Sequence, residues 1–530
     1  MGQALDITRD AAHPRMTAPR RADADVLRRW IEGAAGRHPD KPCIVSVDDG
    51  RAITFGELRQ LTRRVATFLR GRGVRANDRI ALLSANSIEH LACYFGVMAY
   101  GATICTIHIE MNRRHLDNIL ARLRPALVLH QEGLGLDDVL AQVAAPRLPL
   151  GVWGGRAGST FYSAVADCEP RDAYLADAAP TDDAVIFFTS GTSASPKGVA
   201  LTFREHLANI EPTADGFGVT GDDRIYDFRS FNWASAQLFG ALVPLSQGAT
   251  LLMARKFSAS RFFHHIAEHN ATVAAGNPTV INMLLNSADA LDRVRMPALR
   301  FITSSSAPLL VEEWRRFEKR FEIPIAQGYG SSETGWIAAN PGPARRVGTV
   351  GKPLPYHDLA IVDADGGRLP AGATGLIEIG GFPDNDYRHL AEDGTIGVTS
   401  RGRIRTGDIG FLDADGYLHV TGREKELIIR GGVNISPLEI DGILMQQADI
   451  AEAATIGVPD RIWGEEVVSY VVLRPHAQSA ADDILRACRT QLPEFKAPKR
   501  IIACGELPKT ERGKLDRKAL VERWKETRGA

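Results

Sequence analysis

The chain has 530 residues, with 63 Lys+Arg against 64 Asp+Glu, 44% apolar and 24% charged residues. This composition excludes a disordered or fibrous protein, and a net charge of −1 argues against nucleic acid or an anionic membrane as the main partner. The length exceeds what one hydrophobic core organises, so at least two domains are expected.

The first residues, MGQALDITRD, lack the apolar stretch of a secretory signal, and residues 1–23 read as a mobile tail. The longest uncharged apolar run, Leu91 to Ile107, is 17 residues with Gly101 inside it. It is short for a membrane span and predicts a buried helix followed by a strand. The six cysteines are scattered without a C-x-x-C pair, so a reduced, cytoplasmic protein is expected.

From Ala24 the pattern alternates. Leu58, Leu61, Val65 and Leu69 recur at helical spacing, the run Ile80-Ala-Leu-Leu predicts a strand, and another helix is predicted from Ile88. The alternation continues to about residue 340 and predicts an α/β fold whose parallel sheets are covered on both faces. Residues 348–421 read instead as short β-runs between Gly- and Asp-rich turns, which predicts a small barrel or antiparallel sheet. Beyond Lys425 the texture is mixed α+β. The expected division is an N-terminal domain over 24–424, built of two αβ subdomains plus the β-rich one, and a small mobile C-terminal lid over 425–530.

Residues 186–198, Ile-Phe-Phe-Thr-Ser-Gly-Thr-Ser-Ala-Ser-Pro-Lys-Gly, carry a strand into a run of hydroxyls and small side chains closed by Lys197. Small residues let backbone N–H groups approach an anion, hydroxyls donate, and the ammonium adds charge, so the physical reading is a triphosphate cradle. It is not a Walker A loop, because Lys197 lacks the preceding Gly and following Ser/Thr.

The run from Thr189 through Ser190, Gly191, Thr192 and Ser193 to Lys197 resembles the phosphate loop of the adenylate-forming superfamily of acyl- and aryl-CoA synthetases, adenylation domains and luciferases. Four further segments resemble that superfamily's signatures in order: Gln327-Gly-Tyr-Gly-Ser-Ser-Glu333, Arg405-Thr-Gly-Asp408, Gly422-Arg-Glu-Lys-Glu-Leu-Ile and Pro508-Lys-Thr-Glu-Arg-Gly-Lys514. The resemblance covers roughly residues 24–520. It implies that ATP and a carboxylate give an acyl-adenylate and pyrophosphate, after which the lid rotates and a thiol, usually CoA, takes the acyl group.

On this resemblance Gly328, Tyr329, Gly330, Ser331 and Ser332 form the adenine and magnesium segment. Tyr329 offers a face for adenine, Ser332 a donor to the α-phosphate and Glu333 the Mg²⁺ ligand, since a hard cation takes carboxylate oxygen. Asp408 is acceptor-only and suits two ribose hydroxyls, and Arg423 is expected to reach the same ribose from the lid side. Lys514 is the expected catalytic lysine between the two anionic reactants. Lys425 falls at the hinge position. Gly431 and Gly432 either line the thiol channel or form a tight turn between strands. Only 12 of the 63 basic residues are Lys, and Lys197, Lys425 and Lys514 are three of them.

The acyl pocket is where the chain departs from its resemblance. Arg229-Ser-Phe-Asn-Trp-Ala-Ser-Ala-Gln237 lacks the gate His of many acyl-CoA synthetases, leaving Asn232 or Trp233 in that place. Asn232 cannot pair an α-ammonium, but its amide can hydrogen-bond a hydroxyl or carbonyl. Ser304 and Ser305 add hydroxyls to the pocket floor where Gly is usual at 305, next to adenine and acyl group, while Ser306, Ala307 and Pro308 are assigned by resemblance to the ATP/AMP site. Ser193-Ala194 replaces a common Thr-Gly, and Gly276 lines another wall by resemblance.

The expected enzyme is thus an acid–thiol ligase for a hydrophobic acid (aryl, alicyclic or terpenoid-like), with ATP and Mg²⁺ as cofactors and CoA as co-substrate. Transfer to a carrier protein or partner ligase is the alternative, and a non-catalytic nucleotide-binding homologue the second alternative. Neither nucleic acid nor a membrane span is expected.

Overall fold

The computed structural model describes residues 24–155, 158–189, 196–287, 295–380, 386–475, 477–510 and 515–529. Local signals near the start settle the first elements. The Thr54 hydroxyl accepts from the Glu57 amide while the Glu57 carboxylate accepts from the Thr54 amide, a reciprocal cap that starts the helix Phe55–Gly71. Leu58, Leu61, Val65 and Leu69 then fall on its buried face. The apolar run becomes the wholly buried helix Ile88–Tyr100, ended by Gly101 at φ 105°, and the strand Thr103–Thr106.

Two large sheets organise the chain up to residue 401. In the first, the parallel strands Asp183–Thr189, Thr103–Thr106, Arg79–Leu83, Leu127–His130 and Arg147–Pro149 lie side by side. Lys197–Thr202 adds antiparallel to Asp183–Thr189, and the hairpin Asp386–Leu390 and Ile396–Arg401 adds beyond it. The second sheet runs parallel through Ile325–Ser331, Phe301–Ser304, Val273–Ala274, Arg224–Asp227, Thr250–Met253 and Pro42–Ser46. Antiparallel strands close both of its edges. Strands buried on both faces explain the continuous apolar runs of the sequence.

Of the two forms expected for the β-rich stretch, the antiparallel sheet is the one found. Asp358–Val362, Gly375–Gly380, Arg403–Leu412 and Leu418–Arg423 form a four-stranded antiparallel sheet in open order, not a closed barrel. The hairpin within this stretch leaves to extend the first large sheet, and Lys352–Pro353 joins the second. Alternation along a strand reveals its two faces but not which sheet edge it will meet.

After Arg423 a single 3₁₀ turn, Glu424–Glu426, leads into a separate sheet. Its long antiparallel pair, Ile450–Asp460 with Gly464–Leu473, packs against the helices Pro437–Leu444, Ala481–Gln491 and Arg517–Gly529.

Gly351 stitches two sheets together. Its carbonyl accepts from the Leu418 amide, its φ is +89°, and an added Cβ would lie 1.9 Å from the Ala339 carbonyl oxygen. Gly351→Ala is therefore expected to destabilise this junction by about 2–4 kcal/mol, through steric overlap and left-handed strain together. A thermal melt indistinguishable from the parent's would contradict this.

Candidate active site

The carboxyl ends of parallel strands are where ligands bind in open α/β sheets, and most of the anticipated residues gather at such ends. Tyr329 lies on Ile325–Ser331, Ser304 ends Phe301–Ser304, Gly276 follows Val273–Ala274, and Asn232 follows Arg224–Asp227.

The acceptor corner is built by three elements. Asp408 and Arg423 are directly cross-strand partners in the four-stranded sheet. The Tyr329 hydroxyl donates to Asp408 Oδ2 at 2.6 Å, and Arg423 Nε lies 3.0 Å from Asp408 Oδ1. Burial, followed by the neighbouring Asp408 charge, pushes the Tyr329 phenol far above its ordinary range, so it remains a donor. An ionised carboxylate has about four acceptor positions, so Asp408 retains capacity for two further hydroxyls. Arg423 reaches this corner from the strand Leu418–Arg423 itself and not from the lid side, because the cross-strand pairing precedes the 3₁₀ turn.

The glycines around Tyr329 are dictated by crowding. A Cβ on Gly330 would lie 2.3 Å from the Gly335 carbonyl oxygen, and one on Gly328 would meet the Trp336 ring at 2.4 Å. Ser331 and Thr334 close the connecting turn, with the Thr334 amide donating to Ser331 Oγ at 3.2 Å. This turn carries Ser332 and Glu333, both half-buried.

Burial works to raise the Glu333 pKa, but a backbone hydrogen bond and the Lys197 ammonium are among the influences that outweigh it, leaving the carboxyl below its ordinary value. Lys197 opens the strand Lys197–Thr202, opposite Thr189 in register. The Glu333 carboxylate oxygens fit a hard divalent cation, and His389 Nε2, without a hydrogen-bond partner among the described residues, lies 3.7 Å from Oε1. Among the described residues no group of three His, Cys, Asp or Glu is placed to hold a metal alone, so such a cation would share its shell with phosphate and water. Ser190, Gly191, Thr192, Ser193, Ala194 and Lys514 lie outside the described residues.

Ser306 and Ala307 border the same edge. Ser306 has φ +71°, a left-handed conformation that non-glycine residues seldom adopt outside functional loops. Gln327 Nε2 donates to the Ala307 carbonyl at 3.5 Å, and Pro308 is exposed.

On the acyl side, Asn232 is buried and its Nδ2 donates to the Ser84 carbonyl at 2.9 Å. Trp233 is half-buried and stacks on His108, with ring centroids 4.7 Å apart. Both residues are tied to the carboxyl ends of first-sheet strands, Asn232 through Ser84 and Thr106 and Trp233 through His108. Gln237 opens a π-helical turn, Gln237–Leu242, and donates to Thr106 Oγ1 at 2.8 Å; such turns recur at functional sites. Asn232 Oδ1, Gln237 Oε1, Ser304 Oγ and Ser305 Oγ are buried with no hydrogen-bond partner among the described residues. Gly276 admits no side chain, since its Cβ would lie 2.5 Å from the Thr303 carbonyl oxygen.

Lys425 is exposed in the 3₁₀ turn. Gly431 and Gly432, at φ +58° and +84°, form a tight turn joining Ile428–Arg430 to Val433–Ile435. A feature that the sequence did not reveal lies beside them. Trp463, 46% exposed, packs over Gly431 with the Arg430 guanidinium 5.1 Å from its ring, and Ile462 is 82% exposed. His389 and His108 were also missed, as isolated histidines without a motif.

Together these elements describe an AMP-forming acid–thiol ligase using ATP and Mg²⁺. The chain belongs to the AMP-binding enzyme family, whose main domain matches residues 31–382 and whose C-terminal domain matches residues 439–514. It is 33% identical to the sulfoacetate–CoA ligase of Cupriavidus necator, over 94% of this chain and 97% of that one. It is 32% identical to the indoleacetate–CoA ligase of Aromatoleum aromaticum, over 94% and 98%. The ATP-bound structure of MatB from Rhodopseudomonas palustris superposes with a TM-score of 0.83 at 28% identity, covering 95% of this chain and 99% of that one.

Asp408→Asn should raise KM for ATP by about 10- to 100-fold, the equivalent of roughly 1.5–3 kcal/mol for a hydrogen bond to a charged acceptor. An unchanged ATP KM in initial-rate kinetics would remove Asp408 from the nucleotide site.

Proposed function

We propose that this ligase converts a carboxylic acid with a largely apolar aryl or alicyclic body, bearing one uncharged polar group, to its acyl-adenylate and then to a CoA thioester. The observation that carries the substrate class is the set of buried, unpartnered acceptors and hydroxyls on Asn232, Gln237, Ser304 and Ser305. Unpaired polar atoms in a buried wall are costly unless a ligand meets them. The Arg229 cation pairs bidentately with buried Asp227, at 2.6 Å between Nη2 and Oδ2, while its Nη1 is buried without a hydrogen-bond partner among the described residues. The neutral dipoles of the other four residues favour a hydrogen-bonding group on the acid.

In the first half-reaction a carboxylate oxygen attacks the α-phosphorus and pyrophosphate leaves. Both reactants are anionic, so fixed positive charge and preorganised donors must meet the developing charge. Lys197 and the hydroxyls of Thr189, Thr192 and Ser193 would hold the leaving phosphates, and Ser332 would donate to the α-phosphate. Glu333 would hold Mg²⁺, which when bound neutralises phosphate charge. Asp408 and Arg423 would fix the ribose, Tyr329 the adenine, and Lys514 would bridge the carboxylate and α-phosphate. In the second half-reaction the thiol sulfur attacks the acyl carbon and AMP leaves. Rotation at Lys425 would exchange the Lys514 loop for the Gly431–Gly432 turn, and Trp463 offers the nucleotide of CoA an exposed aromatic face.

Two measurements test this reading. Lys514→Ala should lower pyrophosphate formation about 10²–10³-fold while thioester formation from pre-made acyl-adenylate persists; normal pyrophosphate exchange in the variant would exclude the role. Across a panel of hydroxy or oxo cyclic acids, their deoxy counterparts and short dianionic acids, the oxygenated cyclic acids should give the highest kcat/KM. Asn232→Leu should erase roughly tenfold of that preference, the value of one neutral hydrogen bond. Preference for the dianionic acids would overturn the substrate class.

A further inference from the structure

The strand Asp386–Leu390 is held unusually firmly for the outer part of a sheet. Arg388 pairs with Asp183 at 2.7 Å and lies 3.8 Å from Glu205. At its end the buried Arg122 donates to the carbonyls of Leu390 at 2.6 Å and Pro196 at 3.1 Å, fastening this strand to the start of Lys197–Thr202. Between these anchors His389 is delivered, 7% exposed, with Nε2 3.7 Å from Glu333 Oε1.

The ring's hydrogen bonds define its protonation pattern. The Thr399 hydroxyl donates its proton to the Tyr387 carbonyl at 2.9 Å, so toward His389 Nδ1, also 2.9 Å away, it acts as acceptor. Nδ1 therefore carries a proton, and in the neutral ring Nε2 presents a lone pair. That atom is buried, has no hydrogen-bond partner among the described residues and lies 3.7 Å from Glu333 Oε1. Two acceptors turned toward each other at 3.7 Å call for a donor or a cation between or beside them.

We infer that His389 is a positioning residue for the divalent cation of the reaction, its Nε2 accepting a hydrogen bond from the hydration shell of a cation held by Glu333. The inference rests on the proposed cation role of Glu333 and extends it to a residue outside the five signature segments. Outer partners of this kind fix ligand orientation, and their loss typically weakens metal binding about 10- to 100-fold.

The test is Mn²⁺ binding by the intact enzyme with a non-hydrolysable ATP analogue, followed through the electron paramagnetic resonance of free Mn²⁺. His389→Phe should weaken Mn²⁺ binding about 10- to 100-fold, with affinity for the metal-free nucleotide kept. His389→Gln, whose amide oxygen restores an acceptor, should recover most of the loss. Mn²⁺ bound by His389→Phe as tightly as by the parent overturns the inference, as does equal loss in the Phe and Gln variants. Glu333→Gln separates the two levels: parental Mn²⁺ affinity there sinks the reading of Glu333, whereas loss there with none in His389→Phe sinks only that of His389.

Discussion

The antiparallel ladder between Asp386–Leu390 and Lys197–Thr202 is the interaction on which the site depends. Its register sets Leu390 opposite Gly198, His389 opposite Val199 and Arg388 opposite Ala200. Two segments almost two hundred residues apart thereby share one edge, with Lys197 at the open end and His389 turned to Glu333. Gly198 shows how tight the pairing is, since a Cβ there would lie 2.8 Å from the Leu390 Cβ. The glycine after Lys197 thus serves the approach of two strands, in addition to any role in the phosphate loop.

Charge then decides what such an edge is for. An acid and a nucleotide triphosphate repel, and a site that joins them needs cationic and donor groups fixed before they arrive. The described part of the site separates these duties spatially. Asp408 is an acceptor, already oriented by the Tyr329 hydroxyl and Arg423. Glu333 is held below its ordinary pKa despite its burial, with the backbone and Lys197 among the causes. Asn232, Gln237, Ser304 and Ser305 present neutral dipoles, and the buried Arg229 is paired with Asp227.

Much of this was legible in the sequence. Thr189 to Lys197, Gln327 to Glu333 and Arg405 to Asp408 stood out without coordinates through their resemblance to signature segments of the adenylate-forming superfamily. The helices over Leu58–Leu69 and from Ile88 were equally readable, because their apolar spacing matches one face or full burial. The partnerships could not be read. Nothing local links Tyr329 to Asp408, 79 residues away. His389 sits in a β-run whose alternation would serve any sheet, so neither its place in the first sheet nor its approach to Glu333 could be anticipated. The choice between a barrel and an antiparallel sheet was left open for the same reason. Arg423 was expected to approach from the lid side, whereas its cross-strand pairing with Asp408 sets it on the strand before the 3₁₀ turn.

The same separation of local and long-range information bears on the lid. Were Lys514 to serve one half-reaction and withdraw for the other, as proposed, its loop would have to travel with the lid as a unit. The flanks of that loop are fastened to the lid: Lys509 bridges Leu515, the Asp516 amide donates to the Pro508 carbonyl at 2.9 Å, and Lys509 pairs with Glu452. Arg517 joins the buried Asp441 at 2.5 Å and Glu426 of the 3₁₀ turn at 3.3 Å. Burial raises the Asp441 carboxyl to about 6 even with Arg517 beside it, the mark of an ion pair that is costly to bury and damaging to break. Its value lies in geometry, because it ties the helix Arg517–Gly529 to the helix Pro437–Leu444 and to the 3₁₀ turn Glu424–Glu426. A rotation at Lys425 would then be transmitted to the lysine loop without passing through the loop's own backbone.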